Sequence, residues 1–276
     1  MAKAKDMFDV SGKVVVITGG GGILCSAMAK AIAARGAKVA LLDLRPQAAQ
    51  AVADEINTTT PGAAIAVATN VLERKSLEDA RDTVLKAFKR VDVLLNGAGG
   101  NKNDATTSAE LSFFDLPPEA IRWVFDLNII GTVLPSQVFG KLLAAQGEGC
   151  IINISSMSAF RPLTRGVAYA AAKAGVSNFT EWLAVHMSQN YSKKIRVNAI
   201  APGFLLTEQN RYLMTDEKTG ELTPRGKTVL GHTPMDRFGE PEELVGAIIW
   251  LISPAATFVH GAVIPIDGGF NAFSGV

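Results

Sequence analysis

Several kinds of feature are scarce in this chain, and each scarcity excludes something. Only two cysteines, Cys25 and Cys150, occur in 276 residues. They form no C-x-x-C pair or other metal-ligand spacing, so no metal centre is expected, and so few thiols suit a reducing compartment such as the cytoplasm. Neither sign of charge is in excess: 27 Lys and Arg stand against 26 Asp and Glu, a formal net charge of +1. No field therefore favours nucleic acid or an anionic membrane surface. Long hydrophobic runs are missing too. The longest, near 14–17 and 37–42, fall far short of the roughly 20 residues that cross a bilayer. Residues 1–10 are a charged lead-in without the apolar core and small-residue cleavage site of an export signal. Repeats, low-complexity tracts and Pro/Ser-rich linkers are also lacking. The remaining expectation is one domain, residues 1–276, with a small-molecule partner held in a pocket and neither a nucleic-acid nor a membrane partner.

What is present is a rhythm. Short β-branched runs at 14–18, 38–42, 63–68, 92–95, 150–154, 196–199 and 263–266 alternate with helix-like stretches at 23–35, 46–57, 73–89, 118–145, 167–190 and 241–252. Strands apolar on both faces, joined by helical crossovers, predict an α/β Rossmann-type fold: doubly wound, three layers, with a mainly parallel seven-stranded sheet. The rhythm lapses between Ala199 and Val263. Residues 209–233 there are polar and rich in turn formers, and the stretch 204–233 is expected to be a lid inserted over the substrate.

The first strand runs into Thr18-Gly19-Gly20-Gly21-Gly22-Ile23-Leu24 and then a helix. Glycines let a phosphate approach the backbone, and a helix start offers unpaired N–H groups with about half a positive charge. Glycines kept only for a tight turn are the plainer alternative, which the strand–turn–helix setting disfavours. The spacing departs from G-x-G-x-x-G. Cys25 stands where a third glycine ordinarily lets helix and strand pack closely, so a small local shift is expected. The second strand ends at Asp43, about 20 residues on, where a carboxylate can accept bonds from the adenosine ribose hydroxyls. Asp43 predicts NAD rather than NADP, with Arg45 leaving room for dual use.

Tyr169-Ala170-Ala171-Ala172-Lys173 puts a phenol and an ammonium four residues apart, on one helix face. Ser156 lies 13 residues upstream of the tyrosine, at a strand end. Taken with Asn96-x-Ala98-Gly99, Asn128 and Pro202-Gly203, these residues resemble the short-chain dehydrogenase/reductase superfamily over nearly the whole chain. The resemblance implies that Tyr169 is general acid in reduction and base in oxidation. Ser156 would bind the substrate oxygen, Lys173 would lower the tyrosine's pKa and hold the nicotinamide ribose, and Asn128 would complete a proton relay. One ammonium at about 4 Å and an effective dielectric near 20 contributes roughly 4 kcal/mol, or about three pKa units, opposed by desolvation of the phenolate. The expected cofactor-binding residues are Gly19, Gly21, Gly22, Ile23, Leu24, Asp43, Asn70, Val71, Asn96, Ala98, Gly99, Tyr169, Lys173, Pro202, Gly203, Leu205 and Thr207. Asn70-Val71 replaces the acid that many relatives use for the adenine amino group, and an amide oxygen can accept the same bond. The resemblance also implies a homotetramer.

A narrower likeness rests on Asn96-Gly97-Ala98-Gly99-Gly100-Asn101, Phe125-Asp126-Leu127-Asn128, Ser156-Met157-Ser158-Ala159-Phe160, Phe204-Leu205-Leu206-Thr207, His232-Thr233-Pro234-Met235 and Asp267-Gly268-Gly269-Phe270. These segments look like the bacterial D-mannonate oxidoreductases of that superfamily, also called D-fructuronate reductases, which interconvert D-fructuronate and D-mannonate with NAD(H) in hexuronate breakdown. Such a substrate needs a carboxylate site. Arg161, Arg165, Lys102 and Arg211 are candidates, arginine being favoured for its bidentate fork; each can instead be an ordinary surface charge. Asn101 and Gln209 are candidates for hydroxyls, and His232 for substrate or lid. Rival readings are a reductase of another keto sugar acid such as 5-ketogluconate, a 3-oxoacyl thioester reductase, and a non-catalytic dinucleotide sensor.

Overall fold

The computed structural model describes residues 6–207, 211–216 and 219–275. Seven strands, β1 (Val14–Thr18), β2 (Lys38–Asp43), β3 (Ala64–Ala68), β4 (Val93–Asn96), β5 (Gly149–Ile154), β6 (Ile195–Pro202) and β7 (Val263–Ile266), pair in the order β3-β2-β1-β4-β5-β6-β7. Every pairing is parallel, as right-handed helical crossovers require.

The period of two in each strand decides which residue faces which layer. In β1, Val15 and Ile17 join a core with Met28 and Ile32 of α1 (Ile23–Ala33), Ala53 and Ile56 of α2 (Pro46–Thr59) and Ile248 of α9 (Val245–Ile252). Val14 and Val16 join the opposite core, with Leu77 of α3 (Arg74–Phe88), Phe139 of α5 (Gly131–Gln146) and Leu183 of α6 (Val167–Asn190). Helices thus cover both faces.

The stretch 118–146 runs as α4 (Pro118–Phe125), one π-helical turn at Asp126–Ile130, and α5. By length and composition it could cross a membrane, contrary to the expectation that no apolar run is long enough, but half of its apolar window is buried inside the protein. The expected irregular lid carries two short helices, α7 (Arg211–Met214) and α8 (Pro224–Gly231), and a bridge between Thr215 and Leu222.

Candidate active site

The chain builds β1, β2 and β3 in one direction and then crosses to β4 on the other side of β1. The carboxyl ends of β1 and β4 therefore border a crevice at a topological switch point. Gly19 follows β1 at φ +67°, and a Cβ there would lie 2.9 Å from the Ala98 backbone. Glycine is required where those two turns meet. Gly22 caps α1 with no side-chain acceptor, so the first-turn amides, Ile23 and Leu24 among them, keep the orphan donors of a helix start. Asp43 is buried at the end of β2. Its oxygens accept the Gly21 N–H at 3.0 Å and the Arg45 N–H at 2.9 Å, which fixes the acid beside the glycine turn. This cradle of glycines, uncapped amides and a terminal carboxylate fits a dinucleotide.

Other expected cofactor residues serve the protein first. The Asn70 side chain accepts the Leu72 N–H at 3.0 Å and donates to Glu73 at 2.9 Å, forming the turn into α3, while Val71 joins the core. The Asn96 side chain donates to Ser136 Oγ and Asn153 Oδ1 inside the protein. β4 is buried on both faces, and its polar member is tied to α5 and β5. Pro202 ends β6, and Gly203 has no room for a side chain because a Cβ would stand 2.6 Å from Asp267. Leu205 is buried and bridges to Gly239; Thr207 follows it.

Tyr169 and Lys173 lie in the first turns of α6, four residues apart. Lys173 Nζ is 5.6 Å from the Tyr169 ring centroid and donates to the Ile154 carbonyl at 2.8 Å. Ser156 stands near enough to Tyr169 to ease its ionisation, and its Oγ accepts the Ser158 N–H at 3.2 Å, a cap that turns the chain just after β5. Burial lowers the Lys173 pKa to about 8. Burial also raises the Tyr169 phenol above its ordinary value, and Ser156 opposes it.

Asn128 sits in the π turn. Its Nδ2 donates to the Val124 and Gly100 carbonyls, both at 2.7 Å, and its Oδ1 accepts the Gly100 N–H at 3.2 Å. The amide satisfies the backbone where the helix widens and ties it to the loop after β4. A Cβ on Gly99 would lie 2.8 Å from Asn128 Oδ1 and 3.1 Å from Lys173 Nζ, so the missing side chain keeps open the space between these two groups.

Beside Tyr169 opens a cleft of about 470 Å³. Of the expected substrate residues, Asn101, Arg161, Arg165 and His232 line it. Lys102 does not; it pairs with Asp104 at 3.3 Å, a local acid that claims its charge. Arg211 is exposed on α7 and is not part of the lining. Gln209 lies outside the described residues. The sequence reading missed Arg225, on α8, and the aromatic wall of Phe204, Phe270 and Phe273. A signal for Arg225 was available in the helical spacing of 225, 228, 229 and 232.

Comparison with known proteins gives concordant results. A family model described as Enoyl-(Acyl carrier protein) reductase matches residues 22–271. An uncharacterized oxidoreductase of Bacillus subtilis, UxuB, is 48% identical over 97% of this chain and 98% of its own length. An uncharacterized oxidoreductase of Haemophilus influenzae is 49% identical over 97% of this chain and 96% of its own. The fold superimposes with a TM-score of 0.91 on a Haemophilus structure solved with bound NAD and proposed to be a D-mannonate oxidoreductase, 48% identical and covering 97% of this chain and 98% of that one.

Proposed function

Because the chain belongs to the short-chain dehydrogenase/reductase family, we propose that it is an NAD(H)-dependent oxidoreductase that interconverts D-fructuronate and D-mannonate. The observation that carries this reading is the cleft itself. Tyr169, beside Ser156 and backed by Lys173, opens into a space whose charged lining, among the described residues, is arginine, with no Asp or Glu. A cationic cleft beside a proton donor suits an anionic carbonyl compound. The name of the Haemophilus structure supports the same substrate.

In this reading the glycine turn and the α1 amides hold the pyrophosphate. Asp43 accepts from the adenosine ribose, which favours NAD because a ribose phosphate would meet a like charge. When bound, the nicotinamide supplies the hydride in reduction and accepts it in oxidation. Ser156 donates to the carbonyl oxygen and orients it. Tyr169 gives that oxygen its phenolic proton as the carbonyl becomes an alcohol, and takes the proton back in the reverse direction. The raised Tyr169 pKa keeps the proton available for reduction near neutrality. Lys173 holds the nicotinamide ribose and, when protonated, stabilises the phenolate left behind. Asn128 positions the Gly100 loop and closes a relay toward Lys173. Arg161 and Arg165 contribute to the positive field around the carboxylate.

Four copies are expected to assemble, with the exposed apolar residues of α6, such as Trp182 and Val185, covered by a second copy. The reducing cytoplasm, where Cys25 and Cys150 stay as buried thiols, is the expected site of action. The test is NADH oxidation by the purified protein with D-fructuronate, beside 5-ketogluconate and a 3-oxoacyl thioester. Selective turnover of D-fructuronate supports the assignment. Turnover of a rival alone overturns the substrate, and turnover of none overturns the activity.

A further inference from the structure

The side of α8 turned to the cleft consists of Arg225, Thr228, Val229 and His232, the i, i+3, i+4, i+7 set that shares one face of a helix. The inward face of a helix is ordinarily apolar, since burying it is what holds the helix in place. On α8 only Val229 meets that description; the other three are polar and exposed. Arg225 also stands in the first turn, just after Pro224 at the helix start and Thr223 at the cap. A cation there opposes the helix dipole. Among the described residues, none of the ion pairs involves Arg225, Arg161 or Arg165. An arginine placed against local preference, without an acidic partner and lining the same cleft as Tyr169, is a local inconsistency of the kind found at functional sites.

The other end of the face is prepared for hydroxyls. His232 Nδ1 lies 3.1 Å from the Thr228 carbonyl oxygen. A carbonyl only accepts, so the proton of the neutral ring sits on Nδ1, and Nε2 is left as an acceptor. The ring is held against Phe270 and Phe273 at centroid distances of 6.2 and 6.3 Å.

We propose that this face of α8 selects the substrate, with Arg225 pairing to a carboxylate and Thr228 and His232 taking the hydroxyls of a short polyhydroxylated keto acid. The inference rests on the reading of the site as a sugar-acid reductase and deepens it by naming what reads the acid. An acyl chain or another apolar substrate would leave this polar face unpaired, which disfavours it.

The experiment compares D-fructuronate with D-fructose, its uncharged counterpart carrying a hydroxymethyl group in place of the carboxylate, in the parent, Arg225→Gln and Arg225→Lys. In Arg225→Gln the kcat/KM for D-fructuronate is expected to fall about tenfold or more, the loss of one charge-assisted pair, mainly through KM. Activity on D-fructose and the KM for NADH should stay near the parent values, and Arg225→Lys should recover part of the loss. Equal losses on both sugars, or none, would overturn the role of α8 while leaving the D-fructuronate assignment intact. If the parent instead reduces 5-ketogluconate, the same comparison is made with that acid and its hydroxymethyl counterpart. A selective loss there keeps the α8 inference although the D-fructuronate reading has failed. A parent that reduces only uncharged ketones overturns both.

Discussion

The sulfur of Cys25 occupies the space that Gly97 leaves open: a Cβ on Gly97 would come within 2.2 Å of Cys25 Sγ. The cysteine replaces the glycine that ordinarily lets the first helix approach the sheet, and the room is recovered from the turn after β4. The thiol also lies 3.7 Å from the Thr18 carbonyl, and burial pushes its pKa up to about 12, so it acts here as packing volume. Gly97→Ala is expected to destabilise the fold by about 1–3 kcal/mol, the usual range for overpacking. Adding Cys25→Ala should restore part of the loss, because the remaining clash, with the Thr18 carbonyl at 2.9 Å, is the milder one. Denaturant unfolding of the two single variants and the double variant checks this. Strict additivity would show that the two residues do not share this space.

Asp43 gives a test of cofactor choice. Asp43→Ala would also free the Gly21 and Arg45 amides that the carboxylate accepts, so Asp43→Asn is the cleaner change, since it keeps an acceptor while removing the charge. We predict that kcat/KM with NAD falls relative to NADP by about tenfold or more, on the scale of one charged hydrogen bond. An unchanged preference would mean that Asp43 does not read the ribose.

The parallel seven-stranded sheet and the Tyr169–Lys173 pair were legible in the sequence for the same reason: both are periodicities. Apolar β-branched runs at regular intervals specify a parallel sheet, and a spacing of four residues specifies one helix face. What could not be read depends on contacts between distant segments. Asn96 sits at the right place for a crevice, but its side chain is claimed by Ser136 and Asn153, which α5 and β5 bring alongside. The charge of Lys102 is taken by Asp104, two residues on. The rise in the Tyr169 pKa follows from burial that no local spacing reports. α8 was hidden because Pro224, Gly226 and Gly231 look like loop residues, although a proline in the first turn and a glycine at the end are also how a short helix is bounded.

Gly99 supplies a variant that separates fold from function. Gly99→Ala would place a methyl 2.8 Å from Asn128 Oδ1 and 3.1 Å from Lys173 Nζ. The outcome expected is loss of most turnover with stability lowered by no more than about 1–3 kcal/mol. Activity assays beside thermal unfolding decide it, and full activity would show that the space between Asn128 and Lys173 is not needed.

Tyr169→Phe removes the only phenol among the described residues that line the cleft and leaves the ring in place. Turnover should be abolished in both directions, while NADH still binds with an affinity near that of the parent, as fluorescence titration would show. Residual turnover within about tenfold of the parent would take the proton transfer away from Tyr169, because general acid–base catalysis ordinarily contributes about a hundredfold or more.

Lys173 links the site to stability. Its pKa falls from 10.5 in the unfolded chain to about 8 in the fold, so between those values the unfolded state binds more protons and stability rises with pH. The cost of burying the charged amine is fully present below pH 8 and fades as pH approaches 10.5. Over that window it amounts to about 3 kcal/mol, at about 1.36 kcal/mol per unit. Lys173→Met lacks this dependence. Cys25 and Tyr169, whose raised values act in the opposite sense at high pH, are common to both proteins and largely cancel in the difference. Loss of the bond to the Ile154 carbonyl adds an offset that does not vary with pH. The stability of the variant relative to the parent should therefore be greatest below pH 8 and decline steadily above it. A difference that stays flat from about pH 7 to 10.5 would mean that Lys173 keeps its ordinary affinity for the proton, and that the ammonium remains charged through the whole working range of the enzyme.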